Sequence, residues 1–196
     1  MIFRTHEETP VRLRLAAIVF PLLFGCGLSA HAAANDLPDA CGSDAVKFKT
    51  TLDKPAHPLD PPSPGMAQIV FVQTSVTQGI TFMNPGTSDF TTRFGLDGAW
   101  AGAAANNSYF SVNVAPGLHH ICASAQGSSS AAKRMIAADS FTAEAGHVYY
   151  FVFAVQRIAG NSIGDNYYDS KLTSMNSDEG RFRVKSLSVS TSKPGK

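Results

Sequence analysis

"RFGLDGAWAGAAANNSYFSVNVAPGLHHICAS", Arg93 to Ser124, decides the fold class. Asp97-Gly98 fits a two-residue type I′ hairpin turn, because Asp tolerates positive φ and Gly adopts it without steric cost. It joins a strand in "TRFGL" to one in "AWAGA". "SYFSVNV" then sets Tyr109, Ser111 and Asn113 against Phe110, Val112 and Val114, the period-2 pattern of a strand. Pro116-Gly117 turns the chain into "LHHICAS". Short strands joined by such turns predict a meander or Greek key.

Adjacent residues of a strand point to opposite faces. His119 therefore travels with Ile121 and His120 with Cys122, so the two imidazoles cannot form a metal pair at that spacing. If Ile121 faces the core, His119 is a partly buried histidine hydrogen-bonded near the turn. Cys122 then faces the outer layer, where the N-terminal segment can reach it.

The flanking sequence extends this pattern. "VKFKTTL" alternates Val46, Phe48 and Thr50 with Lys47 and Lys49, as a half-buried strand does. "DKPAHPLDPPSPG" reads as an extended surface connector, since proline lacks the amide proton a ladder needs, and His57 within it is solvated. "AQIVFVQT" suits a strand covered on both faces. Thr77 to Thr92 reads as a long loop or weak edge strand, and such a loop is a candidate binding rim. "SSSAAKRM" reads as an exposed loop before a strand within "IAADSFTAEA".

"AGHVYYFVFAV" is the most apolar strand. It places Val148, Tyr150, Val152 and Ala154 on one face and Tyr149, Phe151, Phe153 and Val155 on the other, so both faces need cover. Gln156 to Ser170 reads as a second loop, where Tyr167 and Tyr168 stack on a sugar or cover the sandwich end. In "NSDEGRFRVKSLS", Ser177 as N-cap with Asp178 and Glu179 in the first turn predicts a short helix, while alternating Phe182 and Val184 allow a strand. The expected fold is mainly β: an antiparallel β-sandwich, Ig-like or PEGA-like, with room for one short C-terminal helix. The sandwich spans residues 45–190, after a lead-in at 33–44 and before a tail at 191–196.

The N-terminus carries basic residues up to Arg14, an apolar run from Leu15 to Phe24 and then small residues. That is the pattern of a secretory signal peptide over residues 1–32, with Ala30-His31-Ala32 as cleavage site. Alternatively, Leu23-Phe24-Gly25-Cys26 resembles a lipobox, with a signal over residues 1–25 and a lipid on Cys26 as the one membrane attachment. The apolar run is too short, and too broken by Pro21, for a permanent span. Either route predicts a periplasmic or extracellular protein of the cell envelope.

Export also organises the cysteines. Once Cys26 leaves or is lipidated, Cys41 and Cys122 remain in an oxidising compartment and are expected to pair. The bond closes a loop of roughly 80 residues and restricts the unfolded chain by about 4 kcal/mol. A metal site joining Cys122 to His119 or His120 is the competing reading, with no repeated ligand spacing behind it.

Composition excludes other classes. The chain has 16 Lys and Arg against 15 Asp and Glu, and a leader holding Arg4, Arg12, Arg14, Glu7 and Glu8 takes nearly equal numbers of both. A neutral mature protein has no electrostatic pull toward nucleic acid or anionic lipid. The titratable candidates for chemistry are Asp97, His119, His120, Asp139, Glu144 and His147. They form no catalytic Ser motif, no Cys-His pair with a free thiol and no metal signature, and the glycines lie between strands, not at a helix start. No enzyme activity, cofactor or metal is therefore expected. A binding module for a protein or glycan is the leading expectation, with Trp100, Tyr109, Tyr167, Tyr168, His119 and His120 as candidate ligand contacts. A structural or assembly role in the envelope is the alternative, and a hydrolytic enzyme a third reading.

"ACG" at 40–42, "GLDGAWAG" at 95–102, "SYFSVNVAPGLHHICA" at 108–123, "FTAEAGHVYYF" at 141–151 and "SDEGRF" at 177–182 together resemble the bacterial exported family called domain of unknown function 2846. The resemblance runs from about Ala40 to Leu187. It implies a compact, mainly β domain in the cell envelope and assigns no activity. The DG hairpin and PG turn before "LHHI" are also similar to PEGA-type β-sandwich modules, a likeness that bears on fold alone.

Overall fold

Every residue of "AQIVFVQ" is buried. Ile69 and Phe71 enter the central apolar cluster, while Val70 and Val72 enter a second cluster on the opposite face. That pattern belongs to an interior strand of a sheet covered on both sides. In the computed structural model this strand, β2 (Ala67–Gln73), has neighbours on both edges. The structure describes residues 37–53, 58–74, 90–105, 107–127, 130–159 and 166–195.

A six-stranded sheet runs in spatial order β1 (Phe48–Asp53), β10 (Ser188–Pro194), β5 (Ser108–Val114), β2, β8 (Val148–Ala159) and β9 (Asn166–Met175). A four-stranded sheet runs β4 (Ala99–Ala104), β3 (Thr91–Leu96), β6 (Gly117–Gln126) and β7 (Ile136–Ala143). Phe71 and Phe110 of the first meet Phe94 of the second, with ring centroids 4.8 to 5.7 Å apart, so the two sheets share one core. Each fully buried aliphatic or Phe side chain there contributes about 1.5–3 kcal/mol. Buried Thr92 donates to Gln73 Oε1 across the sheets at 2.6 Å, which satisfies two polar groups inside that core.

The β-sandwich is as expected, but its pairing is mixed where antiparallel pairing was expected. β2 pairs with β8, and β10 with β5, in parallel. Parallel neighbours need a long crossover. The second sheet supplies it, because β3, β4, β6 and β7 all lie between β2 and β8 in the chain. The β4 edge is closed from β10: Ala103 N–H donates to Ser192 Oγ at 3.0 Å, and Ser190 Oγ donates to the Ala103 carbonyl at 2.9 Å.

The Asp97-Gly98 hairpin forms with φ of 50° and 87°, the two positive values that a type I′ turn requires. β8 divides its faces as its alternation predicts, with Phe151, Phe153 and Val155 in the central cluster and Tyr150 in the outer one. A helix, α2 (Ser177–Val184), covers that outer face. A Cβ on Gly180 would lie 2.2 Å from Tyr150 Cγ, so the helix backbone rests on the ring.

Four local expectations need correction. The N-cap of α2 is Asn176 instead of Ser177: its Oδ1 accepts the Glu179 N–H at 2.9 Å, and Asn caps as well as Ser does. "SSSAAKRM" contains a short helix, α1 (Ser130–Arg134), because Ala132 and Met135 reach the core. Gln156 to Ser170 is largely strand, since β8 and β9 continue as a hairpin with Ile158 opposite Tyr167 and Arg157 opposite Tyr168. Residues 191–194 belong to β10 and pair with β1, so the sandwich extends beyond residue 190. The signal segment, Cys26, His57, residues 77–89 of the expected binding rim and 160–165 lie outside the described residues. No helix among the described residues is long and apolar enough to cross a membrane.

Candidate functional site

Cys41 and Cys122 form a disulfide with their Cα atoms 5.3 Å apart, an ordinary bridging distance. The bond lays the lead-in over the outer face of the four-stranded sheet, where Leu37 and Ala40 pack with Trp100 and Ile136. Strand parity placed Cys122 on that face, and the structure agrees: Ile121 and Ala123 point into the core.

Beneath the lead-in lies Arg93, 2% exposed. Its Nη1 donates to the carbonyls of Asp44 and Val46, at 3.1 and 2.9 Å. Its Nη2 donates to Asp44 Oδ1 at 2.8 Å and Ser124 Oγ at 3.0 Å. The guanidinium carbon stands 4.5 Å from the Trp100 ring, whose indole N–H donates to the Ser43 carbonyl at 2.8 Å. The hydrogen bond from Arg93 holds the Asp44 carboxyl below its ordinary pKa, against the opposing effect of burial. This cation pins the lead-in to the sheet, and the pattern "TTRFGL" gives no sign of its burial.

Beside the lead-in the same sheet face opens into a groove of about 640 Å³. Pro38, Asp39 and Ala40 form one wall, the Asp97-Gly98 turn another, and His120, Ala138 and Ser140 lie along β6 and β7. His120 stands opposite Ser140 in the ladder. The imidazole and hydroxyl can donate, the carboxylates of Asp39 and Asp97 accept, and the alanines and proline supply apolar surface. Small-molecule and peptide sites of this size carry such a mixture.

Asp97 is committed on both oxygens. Oδ1 accepts the His120 backbone N–H at 2.9 Å, and Oδ2 lies 2.7 Å from His119 Nδ1. The other nitrogen of His119, Nε2, lies 2.7 Å from the Ala115 carbonyl oxygen. Both partners of the ring are acceptors, so both nitrogens donate and the imidazolium fits best. Burial lowers the His119 pKa, but the hydrogen bonds to Ala115 and Asp97 and the Asp97 charge outweigh it, and the net shift is upward. For Asp97 burial acts to raise the pKa, and the His120 N–H and the His119 ring outweigh it downward. This pair is structural wiring: both Asp97 oxygens are engaged by His119 and the His120 backbone instead of the His120 ring, and each keeps lone-pair capacity toward the groove.

Of the expected ligand contacts among the described side chains, His120 lines this groove, and Trp100 lines a separate hollow near Phe48 and Pro194 while its indole is engaged as above. Tyr109 is a correction: it is 3% exposed, because α2 and the segment after it cover the start of β5, where Tyr109 packs with Val184 and Leu187. Tyr167 and Tyr168 stand on the edge strand β9 instead of on a loop. Glu144 and His147 sit exposed at the turn before β8, 3.8 Å apart and apart from the groove. Among the described residues no group of three His, Cys, Asp or Glu side chains is placed to hold a metal ion. Asp39 and Ser140 escaped the sequence reading. The disulfide was the available signal: Asp39 is two residues from Cys41, and Ser140 faces the neighbour of Cys122 on the same side of the sheet.

No known family, curated protein or solved structure matches this chain.

Proposed function

We propose that this chain is an exported, non-catalytic binding module of the cell envelope, taking a glycan or protein ligand in the groove beside the lead-in. The carrying observation is that groove itself, with donors and acceptors from four separate segments gathered beside the apolar surface of Pro38, Ala40 and Ala138. Its wall is fixed by the disulfide and by buried Arg93, so the site is pre-organised, which lowers the ordering cost of binding. Binding is favoured over catalysis because both oxygens of Asp97 are engaged by the His119 ring and the His120 backbone N–H, so Asp97 is not set against the His120 ring as an acid–base partner. The leader-like N-terminus, the paired cysteines and the resemblance to domain of unknown function 2846 all favour the envelope. A lipid on Cys26 would hold the module at a membrane, and release after Ala32 would leave it soluble.

The test is a titration of the purified protein with short neutral glycans and with extended peptides, followed by amide chemical shifts. Shifts centred on His120, Ser140 and Asp39, with a roughly tenfold loss in His120→Ala, are expected. Binding that leaves those amides unmoved would defeat the assignment.

An assembly role is the second reading, favoured by the edges. β7 and β9 stand at the ends of their sheets, with a groove of about 370 Å³ between them. Self-association or strand addition there would shift β9 amides and spare His120.

A further inference from the structure

The opposite face of the molecule carries a second groove, of about 530 Å³, between α2 and the proline connector. Its floor is Val148 and Tyr150, and Val184 with the prolines at 58, 61 and 62 completes a mostly carbon lining. The connector is held in place: Ser63 N–H donates to Asn113 Oδ1 and Asn113 Nδ2 donates to Ser63 Oγ, both at 3.1 Å. The helix is held by Gly180 resting on the Tyr150 ring. Both walls are therefore fixed.

Charge at this groove is uneven. Arg181 and Lys185, one helical turn apart, both line it, and Asp60 is the single acid among its described lining residues. The Arg181 charge lies near the Tyr150 hydroxyl at the groove floor and pulls its pKa down against the larger upward effect of burial. A guanidinium has five N–H donors with which to meet a ligand. Arg183, by contrast, is matched by Glu179 at 2.7 Å elsewhere on the helix. An apolar trough with two cations on its helical wall complements an apolar body that ends in a negative charge.

We propose that the groove between α2 and the proline connector binds a monocarboxylate amphiphile. Its hydrocarbon lies on Val148, Tyr150 and the prolines, and its carboxylate meets Arg181 and Lys185. Asp60 opposes the ligand's charge and limits affinity.

Three ten-carbon probes of different head group test this: decanoate, decanol and decylamine, each below its aggregation concentration, by calorimetry on the purified protein. Decanoate should bind best and decylamine worst. Arg181→Gln and Lys185→Gln should each weaken decanoate about two- to fivefold, and Asp60→Asn should tighten it by a similar factor. The gain in Asp60→Asn cannot come from unfolding, so it separates a charge effect from loss of structure. Equal affinity for decanoate and decylamine, or none for either, would overturn the proposal. So would binding that depends on the exposed Phe182 and ignores Asp60→Asn, which is the signature of adsorption on the outer face of the helix.

Discussion

Asp97 Oδ2 and His119 Nδ1 lie 2.7 Å apart and tie the tip of the β3–β4 hairpin to the start of β6. His119 is 12% exposed in its side chain, and its second nitrogen is taken by the Ala115 carbonyl. One protonation state satisfies both contacts, and pH therefore reads out the strength of this tie.

The first prediction concerns that pH dependence. The folded His119 pKa is raised, so its contribution is full below the unfolded value of about 6.5 and is lost as pH climbs through the folded value. The folded Asp97 pKa is lowered, so its contribution is full above the unfolded carboxylate range and is lost as pH falls through the folded value. The tie is strongest between these limits, near pH 5 to 6 by about those ordinary values. Because Asp97 is 46% exposed, it is worth about 1 kcal/mol. Thermal melts should show a fall in Tm from pH 5.5 to 8.5 that shrinks in His119→Gln. A His119 titration midpoint by NMR at or below that of a free imidazole would rule out the charged pair.

Peptide mapping without reductant should find Cys41 joined to Cys122. Cys41→Ser with Cys122→Ser should cost about 4 kcal/mol, as expected for releasing a loop of this length in the unfolded state. Trp100 fluorescence should change on reduction, since the lead-in carries its hydrogen-bond acceptor. Two free thiols in the mature protein would refute the pairing.

Arg93 and Asp44 should respond unequally although they touch. Arg93→Ala leaves the carbonyls of Asp44 and Val46 and the Ser124 hydroxyl without their donor, and should cost about 3 kcal/mol. Asp44 is 58% exposed, and Arg93 keeps three acceptors and the Trp100 ring without its carboxylate, so Asp44→Asn should cost at most about 1 kcal/mol. Urea denaturation of both variants checks this; equal losses would mean the ion pair, not the carbonyl contacts, holds Arg93.

Gly180→Ala sets two effects against each other. Alanine favours the helix by about 1 kcal/mol. The new methyl group would lie 2.2 Å from Tyr150 Cγ, and overpacking of that kind costs about 1–3 kcal/mol. Net destabilisation is expected, with shifted Tyr150 ring resonances. A more stable Gly180→Ala would show that α2 does not sit on that ring.

By itself the sequence determined the faces. Alternation in β8 sorted its two sets of side chains, Asp97-Gly98 fixed a turn, and parity in "LHHICAS" put His119 inward and Cys122 toward the lead-in, because these properties repeat every two residues and need only local chemistry. Tertiary structure alone decided the partners. The parallel neighbours of β2 and β5, the burial of Tyr109 under α2 and the capture of Arg93 by Asp44 join residues far apart in the chain, and no local period encodes such a meeting. The His120 groove followed the same division: the disulfide was legible from the cysteines, whereas the wall that Asp39 builds against Ser140 exists only once the lead-in has been laid across the sheet.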